Sequence, residues 1–180
     1  MEPQQHVGNV VYRIAEATPA DALDVFGPTV EFLRRPGDAD ADFCVMRGVV
    51  PPGVTVPLHS HDDAEDFYIV DGTQQVLIHG NHGLEWRDAH AGDYVRVPGG
   101  TLHAHRNISD QPAIDLIVTT ARLGRFFLEV GRPVTGPPQP PTPDEIAHFV
   151  TVAANYGYIL GTPADNATVG IEIPDRTTNQ

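Results

Sequence analysis

Two stretches of the chain decide its fold: GVTVPLHSHDDAEDFYIVDG at residues 53–72 and GDYVRVPGGTLHAHRN at residues 92–107. Both are short runs of alternating apolar residues that are broken by glycine, proline or aspartate. Similar runs fill the chain from residue 42 to residue 120, and no helical periodicity lies between them. Many short strands without intervening helices predict an all-β sandwich or barrel.

Polar side chains with metal-binding chemistry stand in both stretches. The first carries His59, His61 and Glu65, and the second carries His103 and His105. Side chains alternate along a strand, so His59 and His61 point to one face, and His105 shares the face of His103. Three imidazoles and one carboxylate that meet inside a barrel suit one divalent transition metal: iron, manganese, nickel, cobalt, copper or zinc. Calcium and magnesium prefer oxygen ligands and fit this set poorly.

The spacing of these residues resembles the two motifs of the cupin superfamily. The first motif is G-x5-H-x-H-x3,4-E-x6-G, and it is matched by Gly53, His59, His61, Glu65 and Gly72. The second is G-x5-P-x-G-x2-H-x3-N, and it is matched by Gly92, Pro98, Gly100, His103 and Asn107. Both motifs are complete and in the right order, over a region of roughly residues 42–120. The chain is therefore identified from its sequence as a member of the cupin superfamily.

The resemblance implies a specific architecture and assembly. The expected fold is all-β, a double-stranded β-helix (the cupin jelly-roll barrel), with one metal ion inside and a short C-terminal helical extension. Homodimers are common in the family, so a homodimer is expected. Among single-domain cupins the chain resembles quercetin 2,3-dioxygenase-like proteins, through FGPTVEFL at residues 26–33 and GRFF at residues 124–127, with Gly131 after it.

The same resemblance gives the candidate site residues their roles. His59, His61, Glu65 and His103 are the expected metal ligands. Glu65 is also the candidate catalytic residue, since a carboxylate beside a metal can act as a base. Phe67, Ile69 and His105 are candidates for the substrate pocket. Phe67 and Ile69 share the face of Glu65 and could equally be core residues, while His105 could be a substrate contact, a proton shuttle or a rim residue.

The sequence divides into three segments. Residues 1–41 are predicted to be N-terminal strands and an arm that packs on the barrel, and residues 42–131 the barrel with its metal site. Residues 132–180 are predicted to be a proline-rich linker, an amphipathic helix and a tail. The helix is signalled by a capping box with proline, Thr142-Pro143-Asp144-Glu145, and by an apolar stripe. The stripe consists of Ile146, Phe149, Val150 and Ala153, and the tail from Thr162 is predicted to be irregular.

Charge and composition exclude several classes of protein. Eleven basic and twenty-four acidic residues give a net charge of −13, which disfavours partners with phosphate backbones and anionic membranes. The single cysteine, Cys44, excludes an intrachain disulfide framework. The N-terminus shows no secretory signal, so we expect a cytoplasmic protein whose partner is a small-molecule substrate, without nucleic acid or membrane.

Three functions remain open from the sequence. The first is a metal-dependent dioxygenase of quercetinase-like type that acts on a small aromatic or enol substrate. The second is a non-oxidative isomerase, cyclase or lyase, in which the metal polarises a carbonyl. The third is a cupin that binds a ligand without turnover.

Overall fold

A computed structural model describes residues 21–38, 42–81 and 83–173. The first twenty residues of the predicted N-terminal segment, and residues 39–41 at its end, lie outside the described residues. The division of the chain at residues 41 and 131 stays a prediction. Strands from all three predicted segments nevertheless join the two sheets described below.

The described part of the chain contains twelve strands and three helices. The strands are β1 Leu23–Asp24, β2 Thr29–Arg34, β3 Phe43–Val50, β4 Thr55–Ser60, β5 Glu65–Asp71, β6 Thr73–Gly80, β7 Gly83–His90, β8 Tyr94–Val97, β9 His103–Arg106, β10 Ala113–Thr120, β11 Arg132–Pro133 and β12 Ile159–Leu160. The helices are α1 Ala121–Val130, α2 Pro143–Asn155 and α3 Pro163–Thr168. None of these helices is both long and apolar enough to cross a membrane.

Two antiparallel sheets form the barrel. The larger has the order β11-β1-β2-β3-β10-β5-β8, and the smaller has the order β12-β4-β9-β6-β7. Each motif crosses from one sheet to the other, since β4 and β9 lie in the smaller sheet while β5 and β8 lie in the larger. The two motifs therefore pair with each other twice, β4 with β9 and β5 with β8. This confirms the predicted all-β double-stranded β-helix fold.

The core lies between the sheets because the strands alternate in burial. In β3 the side chains of Cys44, Met46 and Val50 point inward, and in β10 those of Ala113 and Ile117 do so. Phe32, Met46 and Phe67 belong to one packed cluster. Burying a side chain of this size contributes about 1.5–3 kcal/mol, so the inner faces of the sheets hold the barrel closed.

The helical extension confirms the prediction for α2 and corrects the face on which it packs. Thr142 and Glu145 form the predicted capping box, and the helix begins at Pro143. Val150 was expected in the buried stripe, but it is 49% exposed, and Val152 is buried in its place. The reason is the partner: α2 packs against α1 through a face that contains Phe149, Val152 and Ala153.

The prediction of an irregular tail from Thr162 is wrong for residues 163–168, and residues 174–180 lie outside the described residues. Residues 163–168 form α3, and Thr162 and Asp165 make a second capping box. The side chain of Asn166, on this helix, is completely buried and accepts a hydrogen bond from the backbone N–H of Leu58 in β4 (2.9 Å). Trp86 in β7 donates to the carbonyl of Val169 (2.8 Å). The tail is therefore tied along the smaller sheet.

A buried carboxyl group lies between the two sheets. Asp115 in β10 is 2% exposed, and its Oδ2 accepts a hydrogen bond from Gln74 Nε2 at 3.0 Å. Its Oδ1, and Oε1 of Gln74, have no partner among the described residues. Burial raises the pKa of Asp115 to about 6. At this group the folded chain therefore binds a proton more tightly than the unfolded chain does, and the contribution of Asp115 to stability falls as pH rises from about 4 to about 6.

We predict that Asp115→Asn stabilises the protein at pH 8 and leaves it unchanged at pH 4. The asparagine keeps the shape and cannot ionise, so it removes a penalty of up to about 3 kcal/mol. Denaturant unfolding of chelator-treated protein at both pH values measures the difference. Asp88→Asn is the matched control, since Asp88 in β7 accepts a hydrogen bond from Gln75, the neighbour of Gln74 in β6, and this pair is exposed. Equal stability of wild type and Asp115→Asn at pH 8 would contradict the prediction.

Candidate metal centre

Three imidazoles meet where the two motifs pair. His59 lies in β4, His61 follows that strand, and His103 begins β9 directly opposite His59. The ring centroids of His59 and His103 are 4.1 Å apart, and those of His61 and His103 are 5.1 Å apart. One ring nitrogen from each of the three lies within 4.8 Å of the others. The register of β4 with β9 places His59 opposite His103, and His61 follows one residue after β4.

The loops that carry these residues touch through backbone. Gly100 N–H donates to the carbonyl of His61 at 2.7 Å. At Gly99, a Cβ would stand 2.1 Å from the carbonyl oxygen of Asp62, so any side chain would push the loops apart. Glycine at position 99, which the cupin motif leaves undefined, therefore has a steric role here: it lets the loop before His103 lie directly on the loop after His61.

Two of the imidazoles are oriented by backbone carbonyls. Nδ1 of His59 is 2.8 Å from the carbonyl oxygen of Pro57, and Nδ1 of His103 is 2.8 Å from that of Thr101. A carbonyl only accepts, so each Nδ1 carries the proton and each Nε2 presents a lone pair. Such contacts fix the tautomer and direction of a ligating histidine. Both partners lie two residues before the histidine, so the strand itself sets the orientation.

Glu65 adjoins the imidazoles from the larger sheet. Its Oε2 lies 3.4 Å from Nε2 of His61 and 3.3 Å from Nε2 of His103. Burial on its own would raise the pKa of Glu65, but the close contacts with His103 and His61 outweigh it and hold the pKa well below its usual range. Glu65 is therefore an ionised carboxylate in a buried site.

The electrostatics keep imidazole nitrogens free for a cation. Burial, with the neighbouring His103, lowers the pKa of His59 to about 3. Burial also lowers the pKa of His105 to about 4. Both rings are therefore neutral at neutral pH, the form of histidine that binds metals.

The residues fit a transition-metal ion. Nε2 of His103 is buried and makes no hydrogen bond within the described part of the chain, and neither does Nδ1 of His61. An unpaired buried nitrogen is costly unless something binds it. Three nitrogen donors beside one carboxylate match the preference of borderline divalent metals. The cluster of His59, His61 and His103 could hold such an ion, with Glu65 beside it.

Sequence comparison places this barrel in a known family. A family model for the cupin domain matches residues 46–119, the region that contains both motifs. This chain contains a cupin domain. No curated protein matches the chain in sequence.

Solved structures carry the same barrel. A cupin 2 conserved barrel domain protein from Salinispora arenicola matches 79% of this chain and 98% of its own at 20% identity, with a TM-score of 0.51. The lyase DddQ from Ruegeria pomeroyi, which acts on DMSP, matches 45% of this chain and 39% of its own at 27% identity (TM-score 0.39). A cupin sugar phosphate isomerase from Silicibacter pomeroyi matches 52% and 59% at 25% identity (TM-score 0.42). The similarity to the Salinispora arenicola protein shows a shared fold.

The three predicted pocket residues of the cupin domain occupy different surroundings. Phe67 is buried with its ring 5.4 Å from that of His105, and His105 is 6.5 Å from His103. Both therefore lie beside the imidazole cluster. Ile69 is completely buried in a cluster with Val76 and Ala89, at the level of Asp115 in β10. Ile69 thus forms part of the packed core below the site.

Sequence reasoning missed one side chain at this centre. Tyr158, between α2 and β12, places its ring centroid 4.6 Å from that of His61. It lies outside the matched cupin region, and nothing in the motifs points to it. The available signal was Tyr158-Ile159-Leu160, a short apolar run after Gly157 that has strand character.

We predict that His103→Ala abolishes tight metal binding and that His105→Ala preserves it. Both residues stand on β9 and face inward, but only His103 belongs to the cluster. Changing groups that merely orient a ligand costs about 10–100-fold in affinity, so loss of the imidazole itself should cost at least 100-fold. Metal analysis and competition with a chelator measure the effect. Equal metal affinity of His103→Ala and wild type would refute the assignment.

Proposed function

We propose that the protein is a metal-dependent dioxygenase of quercetinase-like type that acts on a small aromatic or enol substrate. The observation that carries the proposal is the convergence of three histidines and an ionised carboxylate in a buried site. The resemblance of residues 26–33 and 124–127 to quercetinase-like cupins also supports it. In this proposal His59, His61, Glu65 and His103 hold one divalent transition metal.

In this proposal the metal ion and the protein chain supply different parts of the chemistry. When bound, a redox-active divalent ion supplies Lewis acidity and the means to activate dioxygen. The chain supplies the proton acceptor. Glu65 Oε2, directed by His61 and His103, takes the proton from a substrate hydroxyl that approaches the cluster.

The carboxylate of Glu65 favours one class of substrate. A carboxylate is a weak base, so it removes a proton most readily from a hydroxyl group that is itself acidic. Phenols and enols are far more acidic than aliphatic alcohols, and Phe67 offers an apolar wall against which a planar substrate can lie.

We predict that Glu65→Gln lowers turnover at least 100-fold, because general base catalysis contributes about 10²–10⁴-fold. Oxygen uptake in iron-, manganese- and nickel-loaded protein, with a panel of flavonols and polyphenols, measures it. Asp66→Asn is the matched control, because Asp66 is the next residue of β5 and its carboxylate accepts from Tyr94 on the outer face. Metal content is measured beside turnover, so that loss of metal is separated from loss of the base.

The same experiment decides between the proposal and its alternatives. Turnover under strict anaerobiosis would favour an isomerase, cyclase or lyase, in which Glu65 removes a proton from carbon. Tight binding with recovery of unchanged ligand, and little effect of Glu65→Gln, would favour a cupin that binds without turnover. No oxygen uptake across the whole panel would overturn the dioxygenase proposal.

We also propose that the protein works as a homodimer in the cytoplasm, as the resemblance and the composition suggest. One chain has a mass of 19.5 kDa, so the dimer has twice that mass, 39 kDa. Sedimentation equilibrium at micromolar concentration is expected to give this value. A mass of 19.5 kDa across the concentration range would contradict the homodimer.

A further inference from the structure

A short segment from the C-terminal extension lies along the strand that carries His59. We call residues 156–161 the strap. Within it, Ile159 pairs with Ser60 and Leu160 with His59, and Gly161 N–H donates to the carbonyl of Leu58 at 2.7 Å. The strap thus extends the smaller sheet past β4 at the position of the imidazole cluster.

The strap places an aromatic ring against the cluster. The ring of Tyr158 lies 4.6 Å from that of His61 and stacks on Phe126 of α1 at 4.3 Å, with 20° between the ring planes. It is also parallel to His59, at 6.2 Å and 2°. The side chain of His61 is only 1% exposed. Tyr158 therefore covers one side of the imidazole cluster.

Residues outside the cluster hold the strap at its first end. Buried Asp63, in the loop after His61, accepts hydrogen bonds from the hydroxyl of Thr120 and from Arg122 Nη1. Arg122 Nη2 donates to the carbonyl of Tyr156. This chain of contacts joins the loop of the first motif directly to the beginning of the strap.

Its other end is held by Asn166. The side-chain Nδ2 donates to the carbonyls of Gly161 and Thr162, both at 3.0 Å, while Oδ1 accepts from Leu58 N–H. A Cβ at Gly161 would stand 2.8 Å from the carbonyl oxygen of Leu58 and 2.9 Å from Asn166 Nδ2. The strap therefore lies against β4 so closely that only glycine fits at this point.

We propose that the ring of Tyr158 limits access to the imidazole cluster, so that it determines the size of the ligand that reaches the site. The inference rests on the proposed function, in which a metal and a substrate bind at this cluster. A flat, small ligand can pass beside the ring, and a bulky one requires the strap to separate from β4. The strap is held by its short pairing with β4 and by the contacts at its two ends, and opening it requires these contacts to break.

The first test needs no metal. Chelator-treated protein is exposed to diethyl pyrocarbonate at pH 7, and peptide mass spectrometry follows modification of His61, with exposed His79 as internal reference. Tyr158→Ala is expected to raise the rate at His61 about tenfold relative to His79, the effect of losing a local closure. Tyr158→Phe keeps the ring and should stay within about twofold of wild type.

A second variant tests the inference independently, so that the test does not depend on correct folding of Tyr158→Ala. Gly161→Ala leaves Tyr158 intact and forces the end of the strap away from Leu58, so it is also expected to raise the rate at His61. Thermal melting identifies which variants remain folded. Rates at His61 that equal wild type in the folded variants would overturn the inference, as would a wild-type rate equal to that of His79.

The second test measures ligand size with cobalt-loaded protein. Azide and 4-nitrocatechol are mixed with the protein, and their association is followed by visible absorption. Tyr158→Ala should increase the association rate of 4-nitrocatechol about tenfold more than that of azide. If cobalt binds and the ratio of the two rates is unchanged, the inference fails and the metal site stands. If cobalt does not bind, the proposed function fails, and the modification rates still decide whether Tyr158 covers the cluster.

Discussion

The pairing of β4 with β9 is the constraint on which the rest of the site depends. It sets His59 opposite His103, although the two residues lie far apart in sequence. The pairing of β5 with β8 in the other sheet then fixes the position of Glu65, opposite Val97. A slip of one residue in either pairing would turn the alternating side chains to the other face and disperse the cluster. The barrel core and the metal-binding geometry are therefore enforced by the same hydrogen-bonded register.

That register brings together groups whose burial is unfavourable without a partner. Two buried nitrogens of these imidazoles make no hydrogen bond among the described residues, and an ionised carboxylate lies beside them. A cation that binds only the folded chain would satisfy these atoms and stabilise the fold by mass action. Hydrophobic packing in the clusters around Met46 and Leu58 offsets the unfavourable burial of these polar groups.

The parts of this structure that local patterns control could be predicted from the sequence. The alternation of apolar residues and the turn residues predicted the strands, and the capping box at Thr142 predicted α2. The same T-P-x-acid pattern recurs at Thr162, where it begins α3. The start of this helix was therefore predictable from the sequence, although an irregular tail was predicted there. The position of Val150 was not predictable, because the face that a helix buries depends on its partner, here Phe126 of α1. Tyr158 reaches the cluster through long-range pairing of β12 with β4, which leaves no local pattern.

Tyr158 bears on how one ligand set can serve several chemistries. In the proposed function the motif residues hold the cation and the base, and the barrel sets the positions of these residues. The shape of the surrounding space depends on what covers it, and part of that cover comes from outside residues 46–119. The contacts from Asp63 through Arg122 to Tyr156 tie this cover to the loop that carries the ligands. Because Tyr158 lies outside the pairing of β4 with β9, we expect a change at this residue to alter the cover over the imidazoles more than their relative positions.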